Sequence, residues 1–364
     1  MQSPTADPLD LVREDLREFA GYRSARSERL DGGIWLNANE SPWCNPSDPD
    51  ARLRRYPDPQ PEALRALLSD MYRCRPGELL AGRGSDEGID LLVRALCRPG
   101  QDAVLVTSPT FGMYAISARL HGARVVDVPL HDTPQGFQCD FDAVADAAEA
   151  NAVKLVFLCS PGNPSGTLLP IESIAALAQR LEGRAVVVVD EAYLDYAQAP
   201  SATSLLDMQR NIAVLRTLSK AHALAAARIG AVIADAGLIA VLQRCQAPYP
   251  LPGPCVELAV AALAQPVRAG SAAHIQTTLD ERERLHAMLA SSPLVRCAYP
   301  SRANFVLARL KEPQDAFDRL LAAGIVVRDL RSSERLGDAL RISVGTPEQN
   351  RAVAAVLGSD GVSA

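Results

Sequence analysis

Apolar positions along this chain fall into two alternating textures. Stretches in which they recur every three or four residues, as on one face of a helix, predict helices over 64–72, 86–97, 112–120, 141–150 and 171–181. Between them run short segments, apolar on both faces, that predict buried strands over 103–107, 124–128, 154–159, 185–189, 212–217 and 229–234. Strands of that kind alternating with helices define an α/β domain with a mostly parallel, helix-covered sheet. From about residue 266 the pattern changes. A long helix over roughly 269–291 leads into strands at 304–309, 325–328 and 340–344, with helices between and after, which predicts a smaller α+β domain.

Composition narrows the picture further. The chain has 364 residues, 48% hydrophobic and 22% charged, the profile of a globular protein large enough for two domains. A formal charge of −6 gives no electrostatic reason to expect nucleic acid or an anionic membrane as partner. The acidic N-terminus does not read as a secretory signal, and no run reaches the roughly 18 apolar residues of a spanning helix, so a cytoplasmic protein is expected. Eight scattered cysteines without a CxxC pair point to reduced structural thiols, and no metal is expected.

The polar residues that break this pattern sit where the predicted strands end. Lys220, in Arg216-Thr217-Leu218-Ser219-Lys220, lies just past a buried strand, and Arg228 follows eight residues later. A lysine amine is the side chain that forms Schiff bases with carbonyls, and burial lowers its pKa toward a usable range. Ser219 and Arg228 offer a hydroxyl and a cation for a phosphate. Ser85 and Asp86 follow Gly84 at the start of a predicted helix, where free N–H groups favour an anion, although a simple N-cap explains the same residues. Phe111 follows another strand and can stack on a flat ring or fill core. Asn163 is held in Pro161-Gly162-Asn163-Pro164 at a strand's end, and Asp190 closes a four-valine run before Tyr193. A carboxylate there is costly to bury without a cation or a donor. One ligand meets every demand: pyridoxal 5′-phosphate, with its flat ring, ring cation, phenolic oxygen, phosphate and aldehyde.

These segments resemble the fold-type I, class II pyridoxal-phosphate-dependent aminotransferases, and most closely the histidinol-phosphate aminotransferases. The resemblance rests on Leu36-Asn37-Ala38-Asn39-Glu40, Arg55-Tyr56-Pro57, Gly84-Ser85-Asp86-Glu87, Pro109-Thr110-Phe111-Gly112-Met113-Tyr114, Asn163-Pro164-Ser165-Gly166, Asp190-Glu191-Ala192-Tyr193, Ser219-Lys220, Arg228-Ile229-Gly230 and Leu340-Arg341, in family order. It implies a seven-stranded, mostly parallel sheet in a large domain over 46–265, a small α+β domain over 266–364, and an N-terminal segment, 1–45, packing on the small domain. It also implies that Lys220 is the Schiff-base lysine, Asp190 the partner of the ring nitrogen, and Asn163 and Tyr193 the ligands of the phenolic oxygen. Ser85, Asp86, Ser219 and Arg228 fall on the cofactor-phosphate positions. Tyr56 matches a tyrosine that reaches the neighbouring subunit's site, which implies a homodimer. Arg341 matches the arginine that takes the glutamate carboxylate. Arg328 matches one that helps hold the phosphate of histidinol phosphate, and Tyr22 and Asn39 fall on the substrate side. The implied reaction is reversible transamination between L-histidinol phosphate with 2-oxoglutarate and imidazole-acetol phosphate with L-glutamate, in histidine biosynthesis.

Two departures stand out. Phe111 replaces the tyrosine many relatives carry, which keeps the π-face and loses a hydroxyl. His222 is unusual after the lysine and reads as packing or surface. An aromatic or broad-specificity aminotransferase, or a decarboxylase acting on threonine phosphate, shares the fold and stays open at this point. A non-catalytic binding protein of this fold would need to have lost a reactive position, and Lys220, Asp190, Asn163, Tyr193 and Arg228 are all present.

Overall fold

A computed structural model describes residues 7–22, 24, 25, 32 and 34–358. Its strands, in chain order, are β1 (Leu79–Gly82), β2 (Ala103–Val106), β3 (Arg124–Asp127), β4 (His131–Thr133), β5 (Gly136–Gln138), β6 (Val153–Cys159), β7 (Val186–Asp190), β8 (Ile212–Thr217), β9 (Gly230–Ala234), β10 (Val295–Ala298), β11 (Phe305–Leu310), β12 (Arg328–Asp329) and β13 (Ala339–Ser343). Seven of them form one sheet in the order β1-β9-β8-β7-β6-β2-β3, in which only β9 runs against its neighbours. A second, antiparallel sheet has the order β10-β11-β13-β12.

The central strands are apolar on both faces because both faces are covered. Along β7, Val187 and Val189 enter one core cluster while Val186 and Val188 enter the other, and β8 divides in the same way, Ile212 and Val214 against Ala213 and Leu215. Successive side chains of a strand point to opposite faces, so a four-valine run serves two cores at once. The helix Gly84–Leu96 buries Ile89, Leu92, Val93 and Leu96, the spacing of one helical face. Gly88 brings this helix close to the sheet, since a Cβ there would lie 2.6 Å from a Val232 methyl. The helix Val267–Ser291 leads to the second sheet, whose core includes Leu285, Val306, Leu320, Leu340 and Ile342.

The N-terminal segment departs from expectation. Its described residues Leu11 and Val12 are buried in the same cluster as Leu91 and Leu242, and the Arg13 amide donates to the Ala95 carbonyl at 3.0 Å. This part of the segment therefore packs on helices of the large sheet and not on the small domain. In the aspartate-capped turn Pro8–Leu11, Pro8 and Leu11 are buried, and the turn contacts the helix Ala236–Cys245. Strand β1 also went unforeseen, being four residues between charged Glu78 and Arg83.

Candidate active site

Strands β2, β6, β7 and β8 run parallel, so the residues after their C-terminal ends meet at one edge of the sheet. The chain leaves β2 toward β3 on one side and returns as β6 on the other, and a crevice opens where that order reverses. The cavity there has a volume of about 480 Å³. It gathers Ser85, Asp86, Phe111, Asn163, Asp190, Tyr193, Ser219, Lys220, Arg228, Arg328 and Arg341 from eight separate stretches of chain.

One end of the cavity is a cup for an anion. The helix Gly84–Leu96 presents its N-terminus, with Gly84 at φ 76° and Arg228 at φ 54°, both left-handed. The Arg228 guanidinium donates to Asp86 Oδ2 at 3.0 Å and to Ser219 Oγ at 3.3 Å. Free helical N–H groups beside a fixed guanidinium and a hydroxyl form an anion site. Its closeness depends on Gly230, where a Cβ would lie 2.5 Å from the Gly84 carbonyl carbon and 2.6 Å from the Ser85 nitrogen.

The floor of the cavity is acidic. Asp190 is 2% exposed, and burial pushes its carboxyl up to about 6 despite donors on both oxygens. The Tyr114 hydroxyl donates to Oδ2 at 2.8 Å and the Ala192 amide to Oδ1 at 3.0 Å. Asn163 donates to the Tyr193 hydroxyl at 3.3 Å and accepts from Arg341. Phe111 meets Tyr114 edge-on, with ring centroids 5.6 Å apart.

Lys220 stands at the mouth, its amine 5.7 Å from the Tyr193 ring centroid. Desolvation lowers its pKa first, and the Arg341 and Arg228 cations lower it further against the pull of Asp86 and Asp190. Arg341 lies over the Phe305 ring, and desolvation followed by the Arg328 charge depresses it. Among the described residues no carboxylate forms an ion pair with Arg328 or Arg341.

Three expected residues lie outside this cavity. Tyr56 stacks on Tyr249 with centroids 4.4 Å apart and is 49% exposed, Tyr22 is 73% exposed, and Asn39 is exposed at φ 55°. His222 lies half-buried with Nε2 unpartnered, off the cavity wall. Two features escaped sequence reasoning. Tyr114 was visible only as part of a motif; it lies in the first turn of the helix Met113–His121, and Phe111 precedes that helix. Arg216 is buried in β8, pairing with Glu191 at 3.1 Å and Asp195 at 3.0 Å beneath the Asp190 turn.

A flat, phosphorylated group with a cationic ring fits these residues. The cup is held open by glycines that a Cβ would fill, and the buried Asp190 carboxylate has no cation bonded to it among the described residues.

The chain belongs to the aminotransferase class I and II family, whose model matches residues 45–357. Among curated proteins it is 58% identical over 349 residues to the histidinol-phosphate aminotransferase of Xanthomonas euvesicatoria pv. vesicatoria, covering 96% of each chain. It is likewise 58% identical over 357 residues to the histidinol-phosphate aminotransferase of Stenotrophomonas maltophilia, covering 98% of each. Among solved structures, histidinol-phosphate aminotransferase from Sinorhizobium meliloti in complex with pyridoxal-5′-phosphate matches with a TM-score of 0.76 at 27% identity, over 89% of this chain and 90% of that one.

Proposed function

We propose that this chain is a histidinol-phosphate aminotransferase. With pyridoxal 5′-phosphate it interconverts L-histidinol phosphate and 2-oxoglutarate with imidazole-acetol phosphate and L-glutamate, a step of histidine biosynthesis. The observation that carries the reading is near-full-length identity of 58% to enzymes of that name, in a chain whose cavity brings together Lys220, Asp190, Asn163, Tyr193 and Arg228.

Bound in the cavity, the cofactor supplies an electron sink for the substrate's α-carbon. Lys220 would be the amine that holds the cofactor through its aldehyde, and its Nζ would be the group that carries the substrate's α-proton. A lowered pKa suits that work, because the amine must be neutral to attack or to accept a proton. Asp190 would face the ring cation, Asn163 and Tyr193 would hold the phenolic oxygen, and Phe111 would cover one face of the ring. Ser85, Asp86, Ser219 and Arg228 would hold the phosphate. Arg341 and Arg328 take the two substrate anions, a carboxylate in one half-reaction and a phosphomonoester in the other, for which planar guanidinium forks are suited.

The working form in this reading is a homodimer in the cytoplasm, with Tyr56 reaching the neighbouring subunit's cofactor phosphate and Tyr22 and Asn39 closing over substrate. Support comes from the exposure of Tyr56 beside further exposed apolar side chains, Ile34, Leu36, Trp43 and Leu53. Among the described residues no helix is long and apolar enough to cross a membrane.

Steady-state kinetics with L-histidinol phosphate and 2-oxoglutarate, set against L-phenylalanine as amino donor, test the reading. A strong preference in kcat/KM for histidinol phosphate is expected; a preference for phenylalanine overturns the substrate assignment.

A further inference from the structure

Tyr114 is wholly buried and has an arrangement that packing alone does not require. Its ring lies flat on Phe157, centroids 4.7 Å apart and planes 4° from parallel, and meets Phe111 edge-on at 5.6 Å. Those two contacts hold the ring from two sides, so its hydroxyl has one direction in which to point, and it points at Asp190 Oδ2, 2.8 Å away. Burial raises the phenol well above its ordinary pKa, so it stays a donor at every working pH.

We infer that Tyr114 is a positioning residue for the reaction: its hydroxyl keeps the Asp190 carboxylate an anion and in one orientation before the cofactor arrives. This rests on the proposed pairing of Asp190 with the cofactor's ring cation. The physical need is plain from the other groups around Asp190. Asp86, at the start of the helix Gly84–Leu96, and Glu191, next along the chain, both disfavour its ionised form. Cys159, at the end of β6, is neutral, its thiol pushed up to about 12, and Tyr193 is likewise held protonated by burial. Lys220 is a nearby cation, and it is the group that must give up its proton to work. Burial dominates this balance, and only two donors oppose it directly, the Ala192 amide and the Tyr114 hydroxyl. A hydrogen bond to a charged group is among the stronger ones a side chain makes, so loss of this donor raises the carboxyl's pKa by about one to two units.

The test measures cofactor binding by the full-length protein, not turnover. Protein stripped of cofactor is titrated with pyridoxamine 5′-phosphate, which lacks the aldehyde and so leaves Lys220 capture out of the measurement, across a series of pH values. In the unchanged protein, affinity falls as pH drops through about 6, where Asp190 takes up its proton. In Tyr114→Phe that midpoint moves up by about one to two units, so that binding at pH 7 weakens by about two- to tenfold while the two proteins converge at higher pH. Tyr114→His, which keeps a ring N–H donor, brings the midpoint part of the way back, and supplies the comparison if the phenylalanine variant folds poorly. Phe157→Leu, which removes one of the two ring contacts and leaves the donor, moves the midpoint less than Tyr114→Phe does. Asp190→Asn abolishes the acidic limb altogether, and Tyr114→Phe has no further effect on top of it. A Tyr114→Phe variant that melts at lower temperature with its midpoint unmoved, while Asp190→Asn binds weakly, makes Tyr114 a packing residue and overturns the inference alone. An Asp190→Asn variant with unchanged affinity and pH profile overturns the pairing beneath it as well.

Discussion

Arg328 on β12 and Arg341 on β13 stand directly opposite one another as a cross-strand pair. Like charges in that relation are unfavourable, and the Arg328 charge adds to the desolvation that depresses Arg341. Two cations held together at the mouth of a cavity are a standing demand for an anion. Arg328→Ala is expected to raise KM for L-histidinol phosphate about 10- to 100-fold, the loss of one charge-assisted hydrogen bond, with a much smaller effect on L-phenylalanine. Initial-rate kinetics on the two donors check this; equal losses on both contradict a phosphate-specific role.

Gly230→Ala should disable the cup proposed to hold the cofactor's phosphate. The new methyl meets the Gly84 and Ser85 backbone at 2.5 and 2.6 Å and the Arg216 carbonyl oxygen at 2.9 Å, none of which is the end of a flexible side chain. A loss of about 1–3 kcal/mol in urea unfolding and weaker cofactor binding are expected. Gly253→Ala, with open space around its Cβ, serves as the neutral control.

Asp190 links function to stability with a definite sign. Its folded pKa of about 6 lies above its ordinary value of 3.8, so the cofactor-free folded state binds the proton more tightly than the unfolded chain does. Ionising it therefore costs stability: nothing below about pH 4, growing between the two pKa values, and about 3 kcal/mol in full above about pH 6. In the absence of cofactor, Asp190→Asn should be more stable than the unchanged protein at pH 8 and no more stable near pH 4. Denaturant unfolding at both pH values checks this.

Arg216 carries the turn beneath the site. It is 6% exposed, pairs with Glu191 and Asp195, and lies 4.6 Å from the Tyr72 ring centroid. Arg216→Ala leaves the buried Glu191 carboxylate without its cation, and a loss of about 3–5 kcal/mol is expected in chemical unfolding. A change below about 1 kcal/mol contradicts a structural role for the pair.

What could be read from the sequence follows from where the information lies. Strands such as β7 and β8 announce themselves because burial on both faces demands unbroken apolar runs, and Asp190 and Lys220 stand out as charges at the ends of those runs. The cup around Gly84, Arg228 and Gly230 was legible only as separate pieces, since their contact crosses more than a hundred residues of chain. Strand β1 was lost between charged neighbours, and the part of the N-terminal segment around Leu11 and Val12 packs on the large sheet's helices and not on the small domain, because two buried residues carry no directional pattern. Tyr114 stood out in the sequence only as part of a motif; its hydroxyl matters through Asp190, 76 positions away.

The central claim, that Lys220 is the amine that binds the cofactor covalently, is tested most directly by borohydride reduction of the protein loaded with pyridoxal 5′-phosphate, followed by peptide mapping. The account predicts a single adduct, on Lys220. An adduct on Lys154 or Lys311 instead, or none at all, contradicts it.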